Sequence, residues 1–389
     1  MDRKAMALLS TGHGATDIAA GTLPALLPYF KDRFDLSYTL TALLVLVATL
    51  ASSIVQPLFG HWSDSRRMTW LLPAGVGLAG IGMAAASAMP TYGLLVLCVV
   101  ISGLGNAAYH PEASKCANYA AGPKRASGMS LFSVGGNIGF GLGPVISVPL
   151  VEWLGMEGGL LIAVPTTLVA LLLVRQLPRF HEIAQGSTAR AARAGENDRN
   201  AMITLLSVIT LRSVAVYALI TFVPLYVVSL GHSKAYGSHL LAAMLLTGGA
   251  GTLIAGPVAD RVGKRTVLVV STALVAGCTA VFVEVGGAVG AVALAAVGLC
   301  TIATYGITTL MAQEYMPRKV GMASGLSIGL SIGLGGVAAV ALGAVADSLD
   351  LRTALWVSVA APIGGTLLAL TLPRANRHAA HAAAAASGE

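Results

Sequence analysis

Ionisable side chains are rare in this sequence, and several of them stand inside or at the ends of long apolar runs. Only 11% of the residues are charged, whereas 56% are hydrophobic. The stretch GNAAYHPEAS, residues 105–114, ends one apolar run with His110, Pro111 and Glu112. A histidine changes charge near neutral pH, and a carboxylate that is partly removed from water can carry a proton. If the apolar runs lie in a membrane, these side chains are candidates for proton transfer, and Pro111 is expected to bend the helix that carries them.

Three more ionisable residues lie near the middle of apolar runs. Asp17 follows His13 by four residues, so both side chains share one helix face, and Arg212 lies at a matching depth in a later run. A charge at mid-bilayer costs about 2.5–3.5 kcal/mol, so such groups mark functional sites. We assign proton coupling to Asp17, His13, His110 and Glu112, with Asp17 as the main carrier, and substrate binding to Arg212, which offers a bidentate fork to an anion.

Each of these assignments has a structural alternative. Asp17 and Arg212 would face one cavity from opposite sides, or they would only neutralise each other or a neighbouring helix. Glu112 could be a helix-end charge at the membrane interface. Three further polar residues are assigned to substrate binding, although simple packing explains them as well: Asn106, Tyr109 and Asn137.

The elements that position these residues are transmembrane helices. The mean hydropathy is +0.78, and apolar windows of about 20 residues, long enough to cross a bilayer, recur along the chain. The windows predict twelve helices, at 6–29, 37–59, 69–88, 92–116, 126–150, 158–176, 200–230, 236–258, 266–284, 288–313, 321–346 and 353–372. The fold class is therefore an all-α membrane protein.

The distribution of basic residues predicts the orientation. With the N-terminus inside, the outer side receives only Lys31, Arg33, Lys234 and Arg352, so the positive-inside rule places both termini in the cytoplasm. The net charge of +7 follows from this topology, and we predict no nucleic-acid partner. Four cysteines lie singly in or beside apolar runs and are interpreted as small buried residues: Cys98, Cys116, Cys278 and Cys300.

The chain divides into two similar halves. We predict six helices in 1–178, a cytoplasmic linker over 179–199, six helices in 200–373 and a cytoplasmic tail over 374–389. LLPYF at 26–30 matches FVPLY at 222–226 with an offset of 196, and SGMSL at 127–131 matches SGLSI at 324–328 with an offset of 197. Duplicated halves with a site between them are typical of secondary transporters.

One loop motif also occurs in both halves. GPVADRVGKR contributes Gly256, Asp260, Arg261, Gly263, Lys264 and Arg265, and GHWSDSRRM contributes Gly60, Asp64, Arg66 and Arg67. Glycine lets two helices approach, aspartate caps a helix or pairs with arginine, and the basic residues stay at the inner face. We assign gating to these residues, and also to Glu314, which would close the inner gate against loop arginines or simply lie at the interface.

The motifs together resemble a known family. The loop is similar to the major facilitator motif G-x-x-x-D-x-x-G-R/K-R/K, intact in the second copy and one glycine short in the first. Several longer stretches resemble the bacterial fosmidomycin resistance family of drug exporters. They are GHGATDIAAGTLPALLPYF, YHPEAS followed by GMSLFSVGGNIGFGLGP, TLRSVAVYALITFVPLY and AQEYMPRKVGMASGLSIGL. This resemblance implies the major facilitator fold and proton-driven export of small molecules, with a phosphonate antibiotic as the family's substrate.

The sequence shows no nucleophile paired with a base and no metal-ligand spacing, so we predict no enzyme, no cofactor and no metal site. We predict a monomeric proton-coupled transporter of the bacterial inner membrane that exports a small molecule or antibiotic, such as fosmidomycin, by alternating access. Its partners would be the solute, protons and the lipid bilayer. A proton symporter that imports an organic anion or metabolite is the alternative, and a non-transporting receptor or scaffold is less favoured.

Overall fold

The described parts of the chain are almost entirely helical and contain no strand. The computed structural model describes residues 1–65, 68–122, 125–185, 196–316 and 320–373. Its helices are α1 (Arg3–Phe34), α2 (Tyr38–Ser65), α3 (Leu71–Ala88), α4 (Tyr92–Ala121), α5 (Arg125–Leu154), a 3₁₀ helix (Met156–Ile162), α6 (Ala163–Arg175), α7 (Leu177–Gln185), α8 (Arg199–Ser229), α9 (Lys234–Val262), α10 (Lys264–Val285), α11 (Gly287–Ile302), α12 (Tyr305–Tyr315), α13 (Val320–Ser348) and α14 (Leu351–Ala369).

Polar side chains define where several of these helices begin. Asp2 accepts a hydrogen bond from Ala5 N at the start of α1, and Asp198 accepts one from Ala201 N at the start of α8. Asp350 does the same for α14. Because the first backbone N–H groups of a helix have no partner inside it, such caps let the helix extend beyond its apolar window.

Two predicted helices are interrupted. The predicted segment 158–176 begins as a 3₁₀ helix, whose Gly158 and Gly159 have low helix propensity. The predicted segment 288–313 is divided into α11 and α12 at Ala303 and Thr304. The Thr304 hydroxyl lies 2.9 Å from the Thr301 carbonyl oxygen, a side-chain bond that competes with the regular helix ladder.

The predicted linker begins as an amphipathic helix that is attached to the first half. Helix α7 contains Arg179, whose Nη2 lies 2.7 Å from both carboxylate oxygens of Asp2. The hydrogen bond from Arg179 holds the pKa of Asp2 below its usual value. The rest of the predicted linker up to residue 195, and the predicted tail, lie outside the described residues.

The helices of the two halves pack in the same pattern. In the first half α1 contacts α5 and α6, and α3 contacts α4 and α6. In the second half α8 contacts α13 and α14, and α10 contacts α11 and α14. Contacts between the halves follow the same symmetry, because α5 packs on α9 and α13 packs on α2. Pro28 and Pro224, which the sequence repeat pairs, both lie inside helices, in α1 and α8.

The two halves hold together at the end opposite the described N-terminus. Lys234 of α9 forms an ion pair with Asp32 of α1. Asp347 of α13 accepts hydrogen bonds from the backbone N–H groups of Tyr38 and Thr39, at 2.6 and 2.9 Å. A carboxylate from one half therefore caps the first turn of α2 in the other half.

The outer surface of the bundle is apolar, as expected for a chain in lipid. Val164, Leu168 and Leu171 of α6 are 52%, 62% and 54% exposed. Ten helices in the described residues are long and apolar enough to cross a membrane. Such a surface would aggregate in water, so its place is the hydrocarbon region of a bilayer.

Candidate functional site

Three ionisable side chains from two helices meet inside the first half. Asp17 Oδ2 lies 3.4 Å from His13 Nε2 on the same helix, and Asp17 Oδ1 lies 3.3 Å from His110 Nε2 of α4. The side chains of His13, Asp17 and His110 are 12%, 18% and 25% exposed. We call these three residues the His–Asp–His cluster. His13 and Asp17 share one face of α1, as their spacing predicts, and His110 joins them from a separate helix.

The hydrogen bonds of the two imidazoles fix their orientation. His13 Nδ1 lies 2.8 Å from the Phe132 carbonyl oxygen, and His110 Nδ1 lies 2.8 Å from that of Asn106. Because a carbonyl oxygen only accepts, each Nδ1 carries the hydrogen, and this assignment rests on the partner. Each neutral ring therefore presents its Nε2 lone pair to Asp17.

Glycines of α5 create the space that the cluster needs. A Cβ added at Gly136 would lie 2.7 Å from Asp17 Oδ2 and closer still to the His13 ring. At Gly135, Gly139 and Gly143, an added Cβ would collide with the backbone of α1. These glycines therefore allow the close packing of α5 on α1 that brings Gly136 next to the cluster.

The second half holds an isolated buried cation. Arg212 of α8 is 0% exposed, and its Nη1 donates a 2.5 Å hydrogen bond to Thr304 Oγ1. Its guanidinium carbon lies 5.5 Å from the centre of the Tyr305 ring. Among the described residues, Nε and Nη2 of Arg212 have no hydrogen-bond partner. Burying a guanidinium without a counter-ion or a full set of hydrogen bonds costs a large desolvation free energy, which a bound anion would offset.

The sequence alternative in which Asp17 and Arg212 neutralise each other finds no support in the structure. Asp17 contacts the two histidines of the first half, whereas Arg212 contacts Thr304 and the Tyr305 ring of the second half. Within the described residues, no ion pair joins the two groups. The partners of Arg212 could not be read from the sequence, because Thr304 gives no distinctive signal in an apolar run.

The remaining proton-coupling and helix-bend candidates belong to α4. Glu112 is fully buried and forms a 2.8 Å ion pair with Lys115 one turn later. Helix α4 runs through Pro111 without interruption, and the predicted bend stays a prediction.

The three neutral substrate-binding candidates occupy different surroundings. Tyr109 is fully buried, and its hydroxyl donates to the Leu9 carbonyl oxygen at 2.6 Å, a position that favours the packing alternative. Asn137 donates to Thr252 Oγ1 at 2.9 Å and so links α5 to α9 of the other half. Asn106 is 9% exposed, and its Oδ1 has no partner among the described residues.

The gating candidates of the second half are partly explained by backbone geometry. Gly263, between α9 and α10, has a φ of +89°, which strongly favours glycine. Lys264 forms an ion pair with Glu314 of the same half. Arg265 donates to carbonyl oxygens at the end of α14.

Other gating candidates lie on the surface or outside the described residues. A Cβ at Gly256 would meet no described atom within 4 Å. Asp260 and Arg261 are exposed. In the first copy of the loop, the surroundings of Gly60, the side chain of Asp64 and all of Arg66 and Arg67 lie outside the described residues.

The cluster also brings together three side chains of the types that ligate metal ions, which the sequence spacing did not show. Ligand atoms of His13, Asp17 and His110 lie within 4.8 Å of one another. Sequence spacing missed the group because one of its members comes from another helix. The four cysteines are free; Cys98 and Cys116 are buried, as expected, whereas Cys278 and Cys300 are only partly buried.

A duplicated helical bundle, an apolar exterior and buried ionisable groups between its helices define a membrane transporter rather than an enzyme. The family model of the Major Facilitator Superfamily matches residues 9–340, and the chain belongs to this family.

Two relatives align along almost the whole chain. The uncharacterized MFS-type transporter YfnC of Bacillus subtilis (strain 168) is 30% identical over 377 residues, which cover 93% of this chain and 90% of YfnC. The fosmidomycin resistance protein of Escherichia coli (strain K12) is 28% identical over 379 residues, covering 95% and 92%. The resemblance to the fosmidomycin resistance family is thereby confirmed.

Solved structures share the fold at low identity. An inward-facing, occupied structure of a bacterial homologue of the human lysosomal transporter Spinster superposes with a TM-score of 0.76 at 14% identity, covering 94% of this chain and 95% of that one. The nucleoside transporter NupG, as its D323A mutant, gives 0.75 at 14% identity over 95% and 99%. These similarities show the fold alone.

Proposed function

We propose that this protein is a proton-coupled exporter of a small anionic molecule, with a phosphonate such as fosmidomycin as the candidate substrate. It would cross the bacterial inner membrane twelve times, with both termini in the cytoplasm, and would work as a monomer by alternating access. The observation that carries the proposal is Arg212, a fully buried cation with two unpartnered guanidinium nitrogens. The 28% identity to the fosmidomycin resistance protein supports the same substrate class.

The chemistry of Arg212 favours an anion with two oxygens in one plane. Its Nη1 is already held by Thr304, so Nε and Nη2 are left for the ligand. A carboxylate or phosphonate can accept from two guanidinium nitrogens at once, and such charge-assisted bonds are about twice as strong as neutral ones. Substrate binding would thus remove the cost of an uncompensated charge.

The proton site of the proposal is Asp17 with its two histidines. These residues lie in the first half and Arg212 in the second, so the proton and the anion would be bound on opposite sides of the interface between the halves. The conformation fits a cytoplasm-open state, because the Asp32–Lys234 and Asp347 contacts join the halves at the predicted outer end.

The separation of the two sites keeps proton symport as the second candidate. Antiport requires that proton and substrate exclude each other, and direct competition at one group gives this simply. In this structure the anion site is not in contact with Asp17, so both sites could be loaded together, as symport requires. An antiporter would need the movement of the two halves to link the sites.

Proton flux in inside-out vesicles separates these functions. The lumen is first acidified by respiration, and fosmidomycin is then added outside while a lumenal pH dye is followed. Antiport makes the lumen less acidic, symport makes it more acidic, and a non-transporting protein leaves it unchanged. Vesicles that contain the Arg212→Ala variant at equal protein level are the control. A change of the same size in control and wild type would contradict the proposal.

A further inference from the structure

When both imidazoles of the His–Asp–His cluster are neutral, the cluster needs a positive species, a proton or a metal ion, between the rings and the carboxylate. Both Nδ1 atoms donate to backbone carbonyl oxygens at 2.8 Å. In their neutral form, His13 and His110 then direct nitrogen lone pairs at the carboxylate oxygens of Asp17, at 3.4 and 3.3 Å. Lone pairs and an anion repel each other at such distances. A positive species between these atoms would turn the repulsion into attraction.

The donor set identifies which cations fit. Two imidazole nitrogens and one carboxylate suit zinc and the neighbouring transition metals, whereas Mg²⁺ and Ca²⁺ prefer oxygen ligands. Zinc binds such atoms at about 2.0–2.2 Å, and ligand atoms within 4.8 Å of one another reach one ion after small side-chain rotations. The outer hydrogen bonds from Nδ1 to carbonyl oxygens are those that orient histidine ligands in metal sites.

We propose that His13, Asp17 and His110 form a binding site for one divalent transition-metal ion of the Zn²⁺ type, bridging α1 and α4. The partial exposure of all three side chains, from 12% to 25%, leaves room for water to complete the coordination. Gly136 keeps the opposite wall free of a side chain. A bound ion would occupy the atoms that carry the proton in the proposed transport function, so it would block coupling and act as an inhibitor. The inference goes beyond that function, because ion binding is measured without transport.

The test is zinc binding to the purified, untagged full-length protein. Equilibrium dialysis against Zn²⁺ should give one tightly bound ion per chain, and Mg²⁺ should neither bind nor displace it. His13→Ala and His110→Ala should each weaken zinc binding by at least about tenfold. Removing a residue that only hydrogen-bonds to a metal ligand costs about 10- to 100-fold in affinity, so removing a ligand should cost at least the lower of these values. Gel-filtration profiles identify any variant that does not fold.

Histidines elsewhere provide the matched control. His232→Ala combined with His239→Ala removes two exposed imidazoles outside the cluster and should leave the tight site unchanged. The cluster variants and the control variant all also carry His378→Asn and His381→Asn, so that the C-terminal histidines do not contribute to zinc binding.

A second measurement does not depend on the variants. X-ray absorption at the zinc edge of the wild-type complex should show two imidazole nitrogens per ion. Absence of a stoichiometric site, sulfur scattering from cysteine ligands, or equal affinity in folded His13→Ala and His110→Ala would each overturn the proposal. In the first case, protons and not a metal ion fill the gap between the imidazoles and the carboxylate.

Discussion

The contact of Asp347 with the start of α2 should control how readily the two halves separate at that end. Its carboxylate accepts from Tyr38 N at 2.6 Å, and from Thr39 N at 2.9 Å and Thr39 Oγ1 at 2.6 Å. All three bonds cross between the halves, so they exist only while this end is closed. Replacing Asp347 by alanine removes them from one state and leaves the other state unaffected.

The size of the effect follows from the exposure of the contact. A hydrogen bond to a charged group contributes about 1.5–3 kcal/mol, but these bonds are exposed to water, so we use the lower values measured for helix caps. A cap contributes about 0.5–2 kcal/mol. A loss of about 1–2 kcal/mol changes the ratio of two states by about 5- to 30-fold. Asp347→Ala should therefore raise the open-to-closed ratio at this end by about that factor.

Distances between spin labels measure this ratio. Leu40 of α2 and Leu349, which follows the last residue of α13, are 42% and 68% exposed and belong to different halves, so cysteines there accept labels in a background without the native cysteines. Asp347→Ala should increase the population of long distances. The control is Asp350→Ala, which removes a cap within α14 of one half and should leave the distances unchanged. Identical distance distributions for Asp347→Ala and wild type would refute the reasoning.

Three further predictions concern the anion site, the loop and the N-terminus. Arg212→Lys should weaken fosmidomycin binding by about tenfold or more, since a lost charge-assisted bond costs about 1.5–3 kcal/mol; titration calorimetry that gives wild-type affinity would make Arg212 a general counter-ion. Asp260→Asn should slow transport by up to about fivefold at equal protein level, the size of an exposed charge interaction, and an unchanged rate would argue against its gating role. Arg179 stabilises the folded protein through the charged form of Asp2, so this stabilisation is present above the unfolded pKa of about 3.8 and is lost as the pH falls through the lower folded pKa. The difference in melting temperature between wild type and Asp2→Asn should thus be constant from pH 5 to 8 and shrink below pH 3.8. A difference independent of pH would contradict this.

The sequence could predict what repeats along a single helix. The spacing of His13 and Asp17 places them on one face of α1, and apolar windows locate nearly all of the helices. The sequence could not predict contacts between helices, because packing between distant segments depends on which small residues allow close approach. The meeting of His110 with Asp17, and the space that Gly136 provides for them, are of this kind. The break beside Thr304 was missed because a side-chain bond to the backbone leaves no periodic signal.

The most direct test of proton coupling is gradient-driven transport by the purified protein. Wild type and Asp17→Asn are reconstituted in proteoliposomes, and fosmidomycin accumulation is measured with and without an imposed pH gradient. Matched Asp35→Asn proteoliposomes, altered at the exposed residue that ends α1, control for removal of another carboxylate from this helix. We predict that the gradient drives uphill transport by wild type and by Asp35→Asn, whereas Asp17→Asn retains substrate binding or exchange but accumulates nothing. Gradient-driven accumulation by Asp17→Asn at the wild-type rate would contradict the account and remove Asp17 from the coupling mechanism.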